Sequence, residues 1–160
     1  MNIGRLAEDN VKRFGEYKFF NYEGRWHTNV QMNNASNRLG NALRSMGVKK
    51  GDRVGVQLLN CPELLQAFFA IFKIGAVLVP INPSLRVPDL AYLYQDAGLK
   101  ILISAVEYFA SISEARHDSP QLRHVLLTGK KIPRDAVSYD KLVKQSFSEM
   151  VIEDTDNDDT

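Results

Sequence analysis

Apolar positions along this chain alternate between helical and strand-like periods. In the first stretch, Ile3, Leu6, Ala7, Val11 and Phe14 recur at helical spacing, with Asn10 the one polar intrusion and Gly15 a stop signal. Two short aromatic-rich runs, Tyr17 to Tyr22 and Arg25 to His27, flank Glu23-Gly24 and predict a small hairpin. Thr28 and Gln31 then stand at capping-box spacing, where hydroxyl and amide each satisfy an otherwise orphaned backbone N–H. The helix they open carries Ala35, Leu39, Ala42, Leu43 and Met46 on its buried face and closes at Gly47.

From Gly51 the period shortens. Arg53 to Leu59 is a β-branched and aliphatic run, followed by a helix start in which Asn60 caps, Pro62 needs no N–H and Glu63 favours the positive end of the dipole. The helix from Glu63 to Ile74 is apolar on nearly every side, so it is expected to be covered on most faces. Ala76 to Ile81 is a second strand, Pro88 to Ala97 a helix, Leu99 to Ser104 a strand, Glu107 to Ala115 a helix and His124 to Thr128 a strand. The early strand positions Val54, Val77, Lys100 and His124 are 23, 23 and 24 residues apart. Continuous apolar strands at that spacing predict a doubly wound α/β fold with a mainly parallel sheet and flanking helices, preceded by a helix and a hairpin. Beyond Gly129, Ser138 to Phe147 reads as one short helix. The expected division is a body over 1–150 and an acidic tail or linker over 151–160.

Composition narrows the class. The chain has 160 residues, 44% of them hydrophobic and 24% charged, which excludes disordered and collagen-like chains. A chain of this length buries about 70% of the surface its unfolded form exposes, enough for one core. Net charge is +1, but five of the nineteen acids lie in the last eight residues, leaving residues 1–150 at +6. Those cations are scattered and form no basic block interleaved with aromatics, so no nucleic-acid partner is expected. Cys61 is the single cysteine, which excludes an internal disulfide and a cysteine-rich metal site. The most apolar stretch, from Leu64 to Ile81, is broken by Gln66, Lys73, Gly75 and Pro80, short of the roughly 18 unbroken residues of a membrane span. Without a signal-peptide pattern at its start, the chain is expected to be cytoplasmic.

Chemistry is sparse. No glycine-rich turn follows the Arg53 to Leu59 strand, and Thr128-Gly129-Lys130-Lys131 is only a fragment of a phosphate loop. Cys61 opens an apolar helix, and His27, His117 and His124 belong to separate elements, so neither a nucleophile–base pair nor a metal site is predicted. Beyond the second parallel strand, Asn82 and Ser84 offer hydrogen bonds and Arg86 a charge suited to phosphate or carboxylate.

Several segments, read in order, carry a family likeness. Asn37-Arg38-Leu39-Gly40-Asn41-Ala42-Leu43 leads to Gly47-Val48-Lys49-Lys50-Gly51-Asp52-Arg53-Val54, then Asn60-Cys61-Pro62-Glu63, then Lys73-Ile74-Gly75-Ala76-Val77-Leu78-Val79-Pro80-Ile81-Asn82-Pro83. This order resembles the amino-terminal part of adenylate-forming acyl-CoA synthetases, in particular bacterial long-chain fatty acid–CoA ligases. The resemblance spans residues 3–104 and, more loosely, reaches 145. It implies a longer enzyme that uses ATP and Mg²⁺ to convert a fatty acid or other carboxylic acid to an acyl-adenylate, then transfers the acyl group to CoA. It also implies that the nucleotide loop and every catalytic residue follow Asp158-Asp159-Thr160, so no catalytic or metal residue is assigned and the chain alone is inactive. Ser84 and Arg86 are the CoA-side candidates. Implied partners are the remainder of the same polypeptide and a second copy, with no transmembrane segment but a peripheral membrane location open. An aryl-CoA ligase, a peptide-synthetase adenylation domain and a stand-alone α/β interaction module are the alternatives.

Overall fold

The computed structural model describes residues 2–155. Helix α1 (Arg5–Phe14) leads into the antiparallel hairpin β1 (Lys18–Tyr22) and β2 (Arg25–Thr28), and then α2 (Asn29–Ser45). Five parallel strands follow: β3 (Arg53–Gln57), β4 (Val77–Pro80), β5 (Ile101–Ala105), β6 (His124–Thr128) and β7 (Val137–Ser138). They are interleaved with α3 (Pro62–Lys73), α4 (Val87–Asp96) and α5 (Phe109–Ala115), and α6 (Tyr139–Gln145) closes the series. The sheet order is β4-β3-β5-β6-β7. The chain therefore winds outward to β4, returns past β3 and continues the other way, which makes the fold doubly wound with its switch point between β3 and β5.

Strand side chains alternate between two apolar layers, as the period of two requires. Val54, Val56, Ile101, Ile103 and Leu126 face a core shared with Leu39 and Leu43 of α2, Ala67 and Ile71 of α3, and Tyr139 of α6. Leu102, Val125 and Leu127 face the other core, with Leu90 and Tyr94 of α4 and Ile112 of α5. Gly55 has no side chain because a Cβ there would lie 2.8 Å from Leu99 Cδ1 and 3.0 Å from Leu102 Cδ1. At the free edge, Val77 N donates to Asp52 O just before β3 and Ile81 N to Val56 O within it, so Pro80 places its missing N–H on the outer side, where it costs no ladder bond.

The structure departs from the sequence pattern at five places. The Thr28–Gln31 capping box forms as expected, with both bonds at 3.1 Å, but α3 starts differently. Its N-cap is Cys61 in extended backbone, not Asn60, and no side chain caps it. The Glu107 segment is a short 3₁₀ turn before α5 begins at Phe109. The two-residue strand β7 precedes α6, whose N-cap Ser138 accepts from Lys141 N. Helix α1 is docked by a mixed face: none of its residues is buried, Ala7, Glu8, Asn10 and Val11 are half-buried, and Ile3, Leu6 and Phe14 are each more than half exposed. Inward-facing Asn10 instead accepts from Tyr17 Oη and Asn29 Nδ2.

Residues 151–155, expected to be loose, are tied to the body. Arg44 donates to Val151 O at 2.6 Å, Asn2 Nδ2 to Glu153 O at 2.8 Å, and Glu153 N to Lys73 O at 2.8 Å. The rest of the acidic run lies outside the described residues.

Candidate functional site

In open α/β sheets, ligands gather at the carboxyl ends of the strands near the switch point. Here that point joins the ends of β3 and β5. Gln57 and Ser104 pair across the two strands, and both side chains are fully buried. Ser104 Oγ donates to Gln57 O at 2.9 Å, and Tyr94 Oη donates to Gln57 Oε1 at 3.0 Å. Burial pushes the Tyr94 phenol well above the ordinary tyrosine range, so it remains a neutral donor. Gln57 Nε2 has no partner among the described residues. This polar trio was legible only as two polar residues at the ends of apolar strand runs.

Ser84 and Arg86 lie in the loop from β4 to α4, at the carboxyl end of the sheet but on its outer edge. Both are exposed. Asn82 Oδ1 accepts from Ser84 N at 2.9 Å, which shapes the turn. Arg86 is the N-cap residue of α4, and its side chain, 87% exposed, pairs with Asp89 at 3.5 Å. The loop leaves a guanidinium and a hydroxyl in solvent near one helix start. It does not bring them to the Gln57–Ser104–Tyr94 trio.

Other candidates separate. Burial raises the Cys61 thiol to about 11, and Glu63 beside it pushes the same way, so the thiolate of a nucleophile is suppressed. His27 stacks on Phe20 with ring centroids 4.9 Å apart. His117 sits on exposed Asp118 at 2.9 Å, and His124 begins β6. Among the described residues no three His, Cys, Asp or Glu side chains form a metal-binding group. A cleft of about 420 Å³ lies between the hairpin, α2, α3 and α6, lined by Arg25, His27, Glu63 and Lys144 over the buried Tyr139, whose hydroxyl donates to Gln66 Oε1 at 2.8 Å.

The most heavily built polar cluster is one the sequence did not single out. Lys73, at the end of the apolar helix α3, is fully buried. Its ammonium donates to Asn33 Oδ1 and Asn37 Oδ1 at 2.5 Å, Ser36 Oγ at 3.0 Å and Glu8 Oε1 at 3.2 Å. Burial lowers its pKa, opposed by the Glu8 charge. The group joins α1, α2 and α3; every donor is used, so it has none left for a ligand.

Comparison with known proteins gives these elements a context. Residues 7–160 match the AMP-binding enzyme family along their whole length. The chain belongs to that family. Crotonobetaine/carnitine–CoA ligase of Salmonella enteritidis PT4 is 32% identical over 140 residues, which are 84% of this chain and 27% of that protein. The anthranilate CoA ligase AuaEII, solved with anthranoyl-AMP, superposes with a TM-score of 0.95 at 27% identity, over 99% of this chain and 31% of that one. A fatty acyl CoA synthetase from Mycobacterium tuberculosis shares the fold, with a TM-score of 0.83 at 24% identity over 98% and 31% of the two chains. The chain thus spans a little over a quarter of the curated relative and just under a third of these solved ones. Its relatives include a ligase of crotonobetaine and carnitine and one of anthranilate, so family membership does not select an acid.

The described residues do not fit Mg²⁺ or nucleotide phosphates. No Gly/Ser/Thr-rich loop follows β3, β4 or β5, and the helix starts of α3 and α4 carry Pro and an acid in their first turns. No catalytic step is assigned to this chain.

Proposed function

We propose that this chain is the amino-terminal α/β portion of an ATP- and Mg²⁺-dependent carboxylate–CoA ligase and is inactive alone. The observation that carries the reading is the family match along residues 7–160, together with CoA ligases as relatives three to four times its covered length. The order of the Asn37 to Val54, Asn60 to Glu63 and Lys73 to Pro83 segments favours a fatty acid as the carboxylate. The AuaEII likeness favours an aromatic acid as the second reading. The larger polypeptide supplies the nucleotide chemistry, and this portion supplies a rigid sheet against which the rest packs. Exposed Ser84 and Arg86 are the candidates to meet the phosphates of CoA, since a guanidinium binds phosphate through paired N–H donors.

Carboxylate-dependent ATP–pyrophosphate exchange tests the reading, measured on the 160-residue chain and on the longer polypeptide with fatty and aromatic acids. Exchange is expected only in the longer polypeptide and only with a carboxylate present. A coding sequence that ends at Thr160, or a longer product inert toward both acid classes, would overturn it. Arg86→Ala is expected to raise the KM for CoA by about tenfold and leave the exchange half-reaction unchanged.

A further inference from the structure

Residues 146–153 run along α2 as irregular backbone, and several of their carbonyls are taken by side chains spaced three apart on that helix. Arg38 donates to Ser146 O at 2.5 Å, Asn41 to both Phe147 O and Glu149 O at 2.8 Å, and Arg44 to Val151 O at 2.6 Å. Arg44 also reaches Glu153 Oε2 at 3.2 Å. Gly40 lies in the middle of this rail, and a Cβ there would meet Met150 Cε at 2.6 Å and Sδ at 3.1 Å, so the missing side chain seats Met150. At the far end Asn2, almost fully buried, spans Phe72 O at 2.7 Å and Glu153 O at 2.8 Å. Core packing accounts for only part of this seat: Met150 packs against the core, but Phe147 and Val151 point outward at 82% and 80% exposure. Besides the Met150 seat and the Arg44–Glu153 pair, what the contacts share is the backbone: five carbonyls are held whatever side chains the strap carries.

We propose that Arg38, Asn41, Arg44 and Asn2 are positioning residues: they form a rail and clip that fix the line along which the chain leaves the sheet body. The consequence for activity rests on the ligase reading above. A strap held by five carbonyls approaches the adjoining part in one orientation, whereas a free one samples many, and alignment of reacting groups is sensitive to displacements of about 1 Å. Two side-chain types suit the task. Arg and Asn offer planar, multiple N–H donors that bridge successive carbonyls.

The strap is tested directly on the 160-residue chain by chymotrypsin cleavage after Phe147, followed by mass spectrometry. Arg38→Ala/Arg44→Ala is expected to speed that cleavage about tenfold or more, because cleavage tracks the population of released strap. Arg44→Lys, which keeps the charge but loses the planar fork that reaches Val151 O and Glu153 together, is expected to fall in between. Gly40→Ala is the second variant: it improves α2 propensity, so the body stays folded, yet it displaces Met150 and is expected to speed cleavage as well. In the longer polypeptide, the same variants are expected to lower the exchange kcat per folded molecule by about tenfold, with partial recovery in Arg44→Lys. A merely structural role would lower the folded fraction and leave kcat per folded molecule unchanged. Unchanged cleavage in both the double variant and Gly40→Ala overturns the rail. A released strap with unchanged kcat overturns its positioning role. Absence of exchange in the wild-type longer polypeptide overturns the ligase reading and the activity claim with it, and the cleavage result still decides the rail.

Discussion

Replacing Lys73 by Met tests whether the buried ammonium is the joint of the helical layer. The side chains have similar length, so the change removes the charge and its donors without opening a large void. It leaves Asn33 Oδ1, Asn37 Oδ1 and Ser36 Oγ without their donor, and it strips Glu8, whose side chain is 23% exposed, of its countercharge. Breaking a buried, hydrogen-bonded charge from one side costs about 3–5 kcal/mol, a large part of the roughly 5–15 kcal/mol that holds a domain folded. For a chain of this length that is a fall in Tm of about 6–20 °C. Glu8→Gln keeps an acceptor for Asn37 and leaves Lys73 its three neutral partners, so its cost should be smaller, about 1–2 kcal/mol.

The pH dependence supplies a second check on the same joint. Burial by itself would raise the Glu8 carboxyl, but the Asn37 hydrogen bond and the Lys73 charge outweigh it, so the folded pKa lies below 4.5. A depressed carboxyl gives stability that is present above the unfolded pKa and lost as pH falls through the folded one. The difference in stability between wild type and Glu8→Gln should therefore hold near neutrality and shrink below about pH 4.5. Lys73 acts in the opposite sense. Its lowered pKa means that burial of the charge costs stability below the folded value, and that cost is relieved as pH rises toward 10.5. Urea unfolding of wild type and the two variants from pH 3 to 10.5 measures both effects. If Lys73→Met unfolds within about 1 kcal/mol of wild type, the ammonium is not the joint, and the four short contacts carry little net energy.

Three further outcomes follow from other sites. Gln57→Met should cost about 1–3 kcal/mol by orphaning Tyr94 Oη, and Tyr94→Phe a similar amount, whereas the double variant should be nearly neutral because it also removes the unpaired Gln57 Nε2; additive losses in the unfolding cycle would refute the pairing. Cys61 should react with iodoacetamide at pH 8 about 10–100-fold more slowly than a free thiol, given a pKa near 11 and half-burial, and a rate equal to that of glutathione would contradict the burial argument. Gly55→Ala should cost about 1–3 kcal/mol in thermal unfolding, since the new Cβ meets Leu99, Leu102 and Ile81 within 3.1 Å, and an unchanged Tm would show that this layer yields easily.

The elements were readable because their signals are local. The Thr28–Gln31 capping box, the positive-φ glycines at 47, 75 and 98 after helices, and the apolar strand runs each depend on neighbours within a few residues. The parallel sheet followed from the spacing of those runs. Sheet order did not, and it sets the candidate loop apart from the switch point. The loop carrying Ser84 and Arg86 follows the second strand in sequence, but that strand is β4, at the edge, while the switch point lies between β3 and β5. A strand's rank in the chain says which loop it feeds; its place in the sheet depends on crossovers that leave little local trace.

The same distinction explains the polar residues that pattern reading misjudged. Helical periodicity assigns Ile3, Leu6 and Phe14 to an inner face on apolarity alone, yet α1 docks through Glu8 and Asn10 because Lys73 and Asn29 wait across the interface as partners. Lys73 interrupts an apolar run and was legible only as a blemish, although it organises three helices. Residues 151–155 carry no apolar pattern after Ile152 and were expected to be loose, but Arg44 needs only the carbonyl of Val151 and Asn2 only that of Glu153, as Arg38 and Asn41 need only those of 146, 147 and 149, and every residue carries one. Backbone acceptors have no sequence signature. What such a segment does is therefore written on the helix that holds it, in an Arg-x-x-Asn-x-x-Arg stripe flanking a seating glycine.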